Sequence, residues 1–212
     1  PSLRELMGTV VEPATASIPG TKFRQSGALL ITHWGLSGPA ILKLSSHAAR
    51  HIHESGYKFP VLINWANETN TETVVNTLHA IAGQHVQKLV ASVRPFGLPS
   101  RLWLHLIAKS GISKEKKWGE IGLKSIRRLA DTLCNDHYDV DGQSTFREEF
   151  VTCGGISLES VHRQSLESKT CPGLYFAGEV LDIDGVTGGF NFQAAWTTAY
   201  TVAQAISEKL QE

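Results

Sequence analysis

The 212-residue chain is 42% hydrophobic and 19% charged, ordinary globular proportions with enough apolar surface for real cores. Its 20 Lys and Arg balance its 20 Asp and Glu, so overall charge by itself points to neither a nucleic-acid nor an anionic-membrane partner. No apolar run approaches the roughly 20 residues that span a bilayer, and the start lacks the basic and apolar stretches of a signal peptide, so the expectation is a soluble, cytoplasmic protein with no membrane partner.

From Met7 to Ile31 the sequence reads as strands, with Val11, Ala14, Ala16 and Ile18 ahead of a Pro19-Gly20 turn and Ala28-Leu29-Leu30-Ile31 after it. Ser37 or Gly38 can cap a helix that Pro39 opens, and Ile41, Leu44, Ala48 and Ile52 give that helix one apolar face before it ends near Gly56. Tyr57 to Trp65 reads as a further strand. The period changes at Asn70: apolar residues from Val74 to Val93 recur at helical spacing, and Pro95 to Pro99 breaks the pattern. Helices are then expected over Ser100 to Ser110, stopped by Gly111, and over Ser125 to Cys134.

The basic stretches Lys114 to Lys117 and Lys124 to Arg128 fall in this helical part. Each is short and carries no interleaved stacking aromatics, so solvated helix faces are the preferred reading over nucleic-acid contact. Strand character returns at His137 to Val140, and after an Asp141-Gly142 turn Ser144 to Thr152 reads as the second arm of a hairpin. The helical unit therefore looks inserted into a β unit. Cys134, Cys153 and Cys171 are widely spaced, with no CxxC or His partner, and read as incidental thiols.

The last part of the chain is the most informative. Gly173-Leu174-Tyr175-Phe176-Ala177 reads as a short buried strand and Gln193 to Leu210 as a long helix, joined by a loop rich in glycine and acid. Small residues at a strand exit admit the close approach of a ligand, and Gly188-Gly189 would expose amides at a helix N-terminus, where phosphate or the electron-rich side of a reduced flavin is favoured. Glu179, Asp182 and Asp184 can accept hydrogen bonds from sugar or ribityl hydroxyls. A plain glycine-rich turn with solvated acids is the bland alternative; the convergence of so many suitable residues favours the ligand.

The string from Gly173 to Gln193 resembles the C-terminal flavin-binding signature of the HI0933-like family of NAD(P)/FAD-dependent oxidoreductases. Leu30 to Ala40, reading LITHWGLSGPA, is similar to a second family segment, and Val151-Thr152-Cys153-Gly154-Gly155-Ile156 to a third. The resemblance implies an α+β multi-domain fold: a discontinuous β-barrel-like domain at 1–68 and 136–170, an inserted α-helical domain at 69–135, and at 171–212 the C-terminal strand–helix segment of an incomplete Rossmann-type FAD-binding fold. It implies FAD as cofactor in the intact protein, with NAD(P)H as a possible reductant and a small molecule as substrate. Gly178, Glu179, Asp182, Asp184, Thr187, Gly188, Gly189, Phe190 and Asn191 become the cofactor-binding candidates, with Gly188, Gly189, Phe190 and Asn191 near the flavin pyrimidine and Glu179, Asp182 or Asp184 towards the ribityl chain.

Family members open with a strand, a GxGxxG turn and a helix for the ADP pyrophosphate, and this sequence contains no such motif. It also begins at Pro1 without an initiator methionine. Both features read as a fragment whose partner is an N-terminal FAD-binding segment, and which alone binds FAD weakly or not at all and is inactive. His33 is the candidate catalytic residue, lying just before a helix N-terminus suited to an anionic substrate group; a structural hydrogen-bonding role competes equally. His47, His51 and His53 suggest a polar face rather than a metal site, and no metal is expected. The rival readings are a non-catalytic macromolecule-binding module working through the two basic stretches, and an RNA-modifying flavoprotein.

Overall fold

In the computed structural model, which describes residues 3–142, 152–186 and 188–211, the chain opens on an antiparallel hairpin of β1 (Val10–Ser17) and β2 (Arg24–Ile31). Pairing runs from Ser17 opposite Arg24 back to Ala14 opposite Gly27, then shifts before Val11 meets Leu29. The extra β1 residue falls at Glu12-Pro13, where proline has no N–H to donate and a bulge costs the ladder least. β3 (Leu36–Ser37), β4 (Lys58–Asn64) and β5 (Asp136–Asp141) complete a five-stranded sheet of order β3-β2-β1-β4-β5 in which every neighbour is antiparallel.

The helix expected after Pro39 forms as two pieces, α1 (Pro39–His47) and α2 (Ala49–Glu54), and Leu44, Ala48 and Ile52 of its apolar face are buried. Gly38 is the only residue type its position accepts. With φ at +92° and a Cβ that would stand 2.8 Å from the Ala28 carbonyl oxygen, any side chain would be forced into β2.

The long helix from Asn70 is shorter than the periodicity suggests. α3 spans Thr71–Gln84, begun by the Asn70 side chain accepting from the Glu72 N–H at 2.9 Å. It stops because residues 86–90 pair with 116–119 instead: Val90 N–H donates to the Lys116 carbonyl at 2.9 Å and Gly119 N–H to the Val86 carbonyl at 3.0 Å. α4 (Ser100–Lys109) and α5 (Leu123–Cys134) lie close to expectation, α5 starting two residues early because Gly122 caps it. The arm expected at 144–152 lies, apart from Thr152, outside the described residues.

Two compact units result, one of Pro1–Ser45 with Ile52–Ser144, the other of Ser46–His51 with Thr145–Glu212. The first holds a dense core. Trp65, Trp103 and Trp118 are wholly buried, Trp103 and Trp118 stacked with ring centroids 6.4 Å apart. Trp103 Nε1–H donates to the Val90 carbonyl at 2.9 Å and Trp65 Nε1–H to the buried Asp136 carboxylate at 2.8 Å, so these two indoles are satisfied within the core, whereas Trp118 Nε1 is buried without a hydrogen-bond partner among the described residues. Lys109 neutralises Asp136, and the Tyr138 hydroxyl also donates to that carboxylate.

The second unit is built differently. Residues 173–177 do not form the expected strand: pairing is limited to one antiparallel bridge of Tyr175 with Glu167, flanked by Ser168 N–H to the Leu174 carbonyl at 2.7 Å and Phe176 N–H to the Leu166 carbonyl at 3.1 Å, and Leu174 is exposed, because a strand needs a ladder along its whole length and this one does not extend. α6 (Phe190–Lys209) begins three residues before the expected Gln193, since Gly189 at φ +92° turns the chain directly into the helix. No helix among the described residues is long and apolar enough to cross a membrane.

Candidate functional site

The glycine-rich loop is held from three sides within the second unit. Beneath it Val161, Leu166 and Leu181 form a small buried cluster, with Ile156, Phe176, Ile183 and Val202 packed around it. On one side the 153–156 turn is sewn to the loop: Ile156 N–H donates to the Val180 carbonyl at 2.8 Å, and Asp182 N–H returns to the Ile156 carbonyl at 2.9 Å. Gly155 permits this approach, because a Cβ there would lie 2.6 Å from the Val180 oxygen.

The third attachment is to α6. Gly178 N–H donates to Thr198 Oγ1 at 2.9 Å, and the Asn191 amide clasps Gly185, accepting its N–H at 2.7 Å while donating to its carbonyl at 3.0 Å. Asn191, placed by resemblance near the flavin, thus uses its side chain on the loop itself and fixes where the loop meets the helix.

Gly188 and Gly189, at φ +118° and +92°, border open space. A Cβ on Gly189 would meet nothing within 4 Å, and one on Gly188 only the Phe190 ring at 4.0 Å. Gly189 is the N-cap of α6 and supplies no side-chain capping bond, so the first amides of a 20-residue helix lie beside an opening with no side-chain cap of their own. Thr187 lies outside the described residues. Phe190 is exposed.

The three acids have distinct surroundings. Glu179 is exposed, one oxygen accepting from Thr152 N–H at 3.4 Å. Asp182 holds Arg50, whose Nη2 lies 2.9 and 3.2 Å from its two oxygens. Asp184 accepts from the Cys153 thiol; that hydrogen bond, with burial adding to it, pushes the thiol above its usual 9.0 against the opposing pull of Arg50. Asp184 and Arg50 thus act on Cys153 in opposite directions. Arg50 in turn is held more firmly protonated by Cys153 and then by Asp182.

Sequence reasoning missed Arg50 altogether. It stands 132 positions from Asp182 on a short helix with no local signal of that contact, and only the fold places Arg50 in the second unit. Cys153 carried a signal in its neighbours Gly154 and Gly155, whose positive φ values mark a tight turn.

His33 belongs to the first unit and is exposed, as is Trp34 beside it. Its loop is closed on itself: Thr32 Oγ1 donates to the Gly35 carbonyl at 3.0 Å and accepts the Gly35 N–H at 3.1 Å. Among the described residues no group of three or more His, Cys, Asp or Glu is placed to hold a metal ion.

A family model described as HI0933-like protein barrel and H2TH domain matches residues 1–151. The ribosomal RNA dihydrouridine synthase of Escherichia coli strain K12 is 32% identical over 202 residues, which are 95% of this chain and 47% of that protein. The protein of the same name from Haemophilus influenzae is 31% identical over 98% of this chain and 48% of its own length. The 3-dehydro-bile acid delta(4,6)-reductase of Clostridium scindens is 30% identical over 87% of this chain and 45% of its own. The chain spans about half the length of these curated relatives. With an antiparallel sheet and a helical core in the matched residues, and with a family model covering well over half of it, the chain belongs to the HI0933-like protein family.

Proposed function

We propose that this chain is the substrate-side and C-terminal part of an FAD-dependent reductase that adds two hydrogens across a ring carbon–carbon double bond conjugated to a carbonyl, with NAD(P)H as the source of electrons. The observation that carries the reading is the open glycine pair at the start of α6, tied by Asn191 and Thr198 to an acidic loop. These residues fit a flavin: uncapped helix amides suit its pyrimidine carbonyls, and Glu179 and Asp182 suit hydroxyls of its ribityl chain. When bound, FAD supplies the hydride chemistry, while this chain orients the ring and sets the charge around it.

The substrate class is supported by what the relatives' names share. A dihydrouridine synthase and a delta(4,6)-reductase of a 3-oxo steroid both saturate a ring double bond conjugated to a carbonyl. His33, exposed on a self-closed loop before α1, is the proposed substrate-side group. Two relatives are named for ribosomal RNA, which favours a second and finer reading, that the ring is a base within an RNA.

The chain contains no GxGxxG turn, so the ADP half of FAD is assigned to a dinucleotide-binding segment of Rossmann type outside these 212 residues. Its docking face is proposed to be the aromatic side of α6, where Phe192, Trp196 and Tyr200 are each at least 65% exposed at four-residue spacing. The test is to purify the complete gene product carrying these residues. A yellow flavin spectrum bleached by NAD(P)H is expected, together with weak or no flavin binding by the 212-residue chain alone. A colourless, well-folded complete protein that takes up no FAD would overturn the reading.

A further inference from the structure

The balanced total charge hides a strong local imbalance. Half of the 20 Lys and Arg lie between Lys88 and Arg128, against two of the 20 acids, Glu115 and Glu120. The fold then joins what the sequence spreads out. On α5, Lys124, Arg127 and Arg128 are exposed at helical spacing opposite the buried Ile126, Leu129 and Leu133. The Arg128 guanidinium lies over Gly111, 3.2 Å from where a Cβ would stand, which carries the basic face onto the turn leading to Lys114. Trp118 N–H donates to the Lys88 carbonyl at 2.9 Å, which brings Lys116 and Lys117 beside Lys88.

Among the described residues the one ion pair formed from this stretch is Lys109 with Asp136; Lys117 reaches only the neutral Gln87 side chain. A row of ten cations answered by only two acids raises the free energy of the folded state by self-repulsion, and a polyanion relieves it. The aromatic residues of the stretch do not supply a membrane belt or a stacking platform, since Trp103 and Trp118 are fully buried and Phe96 is half-buried. Exposed Leu89, Leu104 and Leu123 interrupt this surface, but its charged groups are mostly cationic, the composition that contacts a phosphate backbone without reading bases.

We propose that the exposed basic face running from Lys88 through Lys114–Lys117 to Arg128 holds the phosphate backbone of an RNA substrate. The proposal rests on the RNA reading given above. α5 alone is about 18 Å long at ~1.5 Å per residue, enough with the adjoining turn to follow several phosphates. Contact through the backbone makes recognition tolerant of sequence and strongly dependent on salt.

The experiment is fluorescence anisotropy of a labelled RNA hairpin titrated with the 212-residue chain, without flavin, over a series of salt concentrations. Log affinity is expected to fall linearly with log salt. The triple variant K124E/R127E/R128E and, independently, K114E/K116E/K117E should each weaken binding by about tenfold or more at low salt and flatten the slope. K22E/R24E, which reverses two exposed charges on and beside β2, should change it little. Circular dichroism confirms that each variant is folded, and the two triple sets stand in for one another. Salt-independent or absent RNA binding, an equal loss in K22E/R24E, or tighter binding to phosphatidylglycerol vesicles or polyglutamate than to RNA would each overturn the proposal. No flavin enters this assay, so its outcome is separate from that of the flavin spectrum.

Discussion

The first unit buries three whole tryptophans and most of the apolar side chains of α3, α4 and α5, whereas α6, the longest helix described, buries none of its residues. In the second unit, beyond Ala48, the buried apolar residues among those described are Val161, Leu166 and Leu181. Burial at roughly 25 cal/mol per Å² is the main favourable term in folding, so the first unit is stabilised by its interior. The second is held instead by backbone hydrogen bonds between loops and by side-chain clasps such as Asn191 on Gly185. A unit built from loops and an uncovered helix suits a surface that takes up a cofactor or another protein segment, since both arrive with apolar area to bury.

That contrast makes unequal demands on individual residues. The largest effect is expected for Trp103→Ala, which opens a cavity between α4 and the stacked Trp118 and strips the Val90 carbonyl of its donor. A loss of about 3–5 kcal/mol in chemical denaturation is expected; a loss below 1 kcal/mol would show that the core is not tightly packed. Next comes Gly155→Ala. Its methyl group would drive the 153–156 turn off Val180 and Asp182 at a cost of about 1–3 kcal/mol, felt locally. Hydrogen exchange should quicken at the Ile156 and Asp182 amides and stay unchanged in α4.

The smallest effect is expected from F192S/W196S, which removes the stacked pair on the open face of α6. In the 212-residue chain its stability change should lie within about 0.5 kcal/mol, as for exposed positions generally. In the complete gene product the same change should cost several times more if a dinucleotide-binding segment covers that face. Equal, small effects in both would leave α6 solvent-facing and erase the difference between the two units.

Much of this was legible in the residues. The hairpin of β1 and β2, the Asn70 start of α3, the Gly111 stop and the glycine-rich loop before α6 all follow from signals a few residues long, because capping, turn chemistry and hydrophobic period act between near neighbours in sequence. The errors arose where partners are distant. Residues 86–93 have helical periodicity but leave the helix to pair with 116–119, and Gly173 to Ala177 has strand composition but lacks a ladder along its whole length.

The candidate site divides in the same way. By itself the sequence determined that a glycine-rich, acidic loop leads into a helix, since that is carried by consecutive residues whose conformational preferences are intrinsic. Only the tertiary structure decided that Arg50 answers Asp182 and that Cys153 comes under the influence of Asp184. It also decided that Lys116 and Lys117 come beside Lys88 and that Arg128 lies over Gly111. The physical reason is that hydrogen bonding and charge act over a few ångströms of space regardless of separation along the chain, and those distances exist only once the chain is folded.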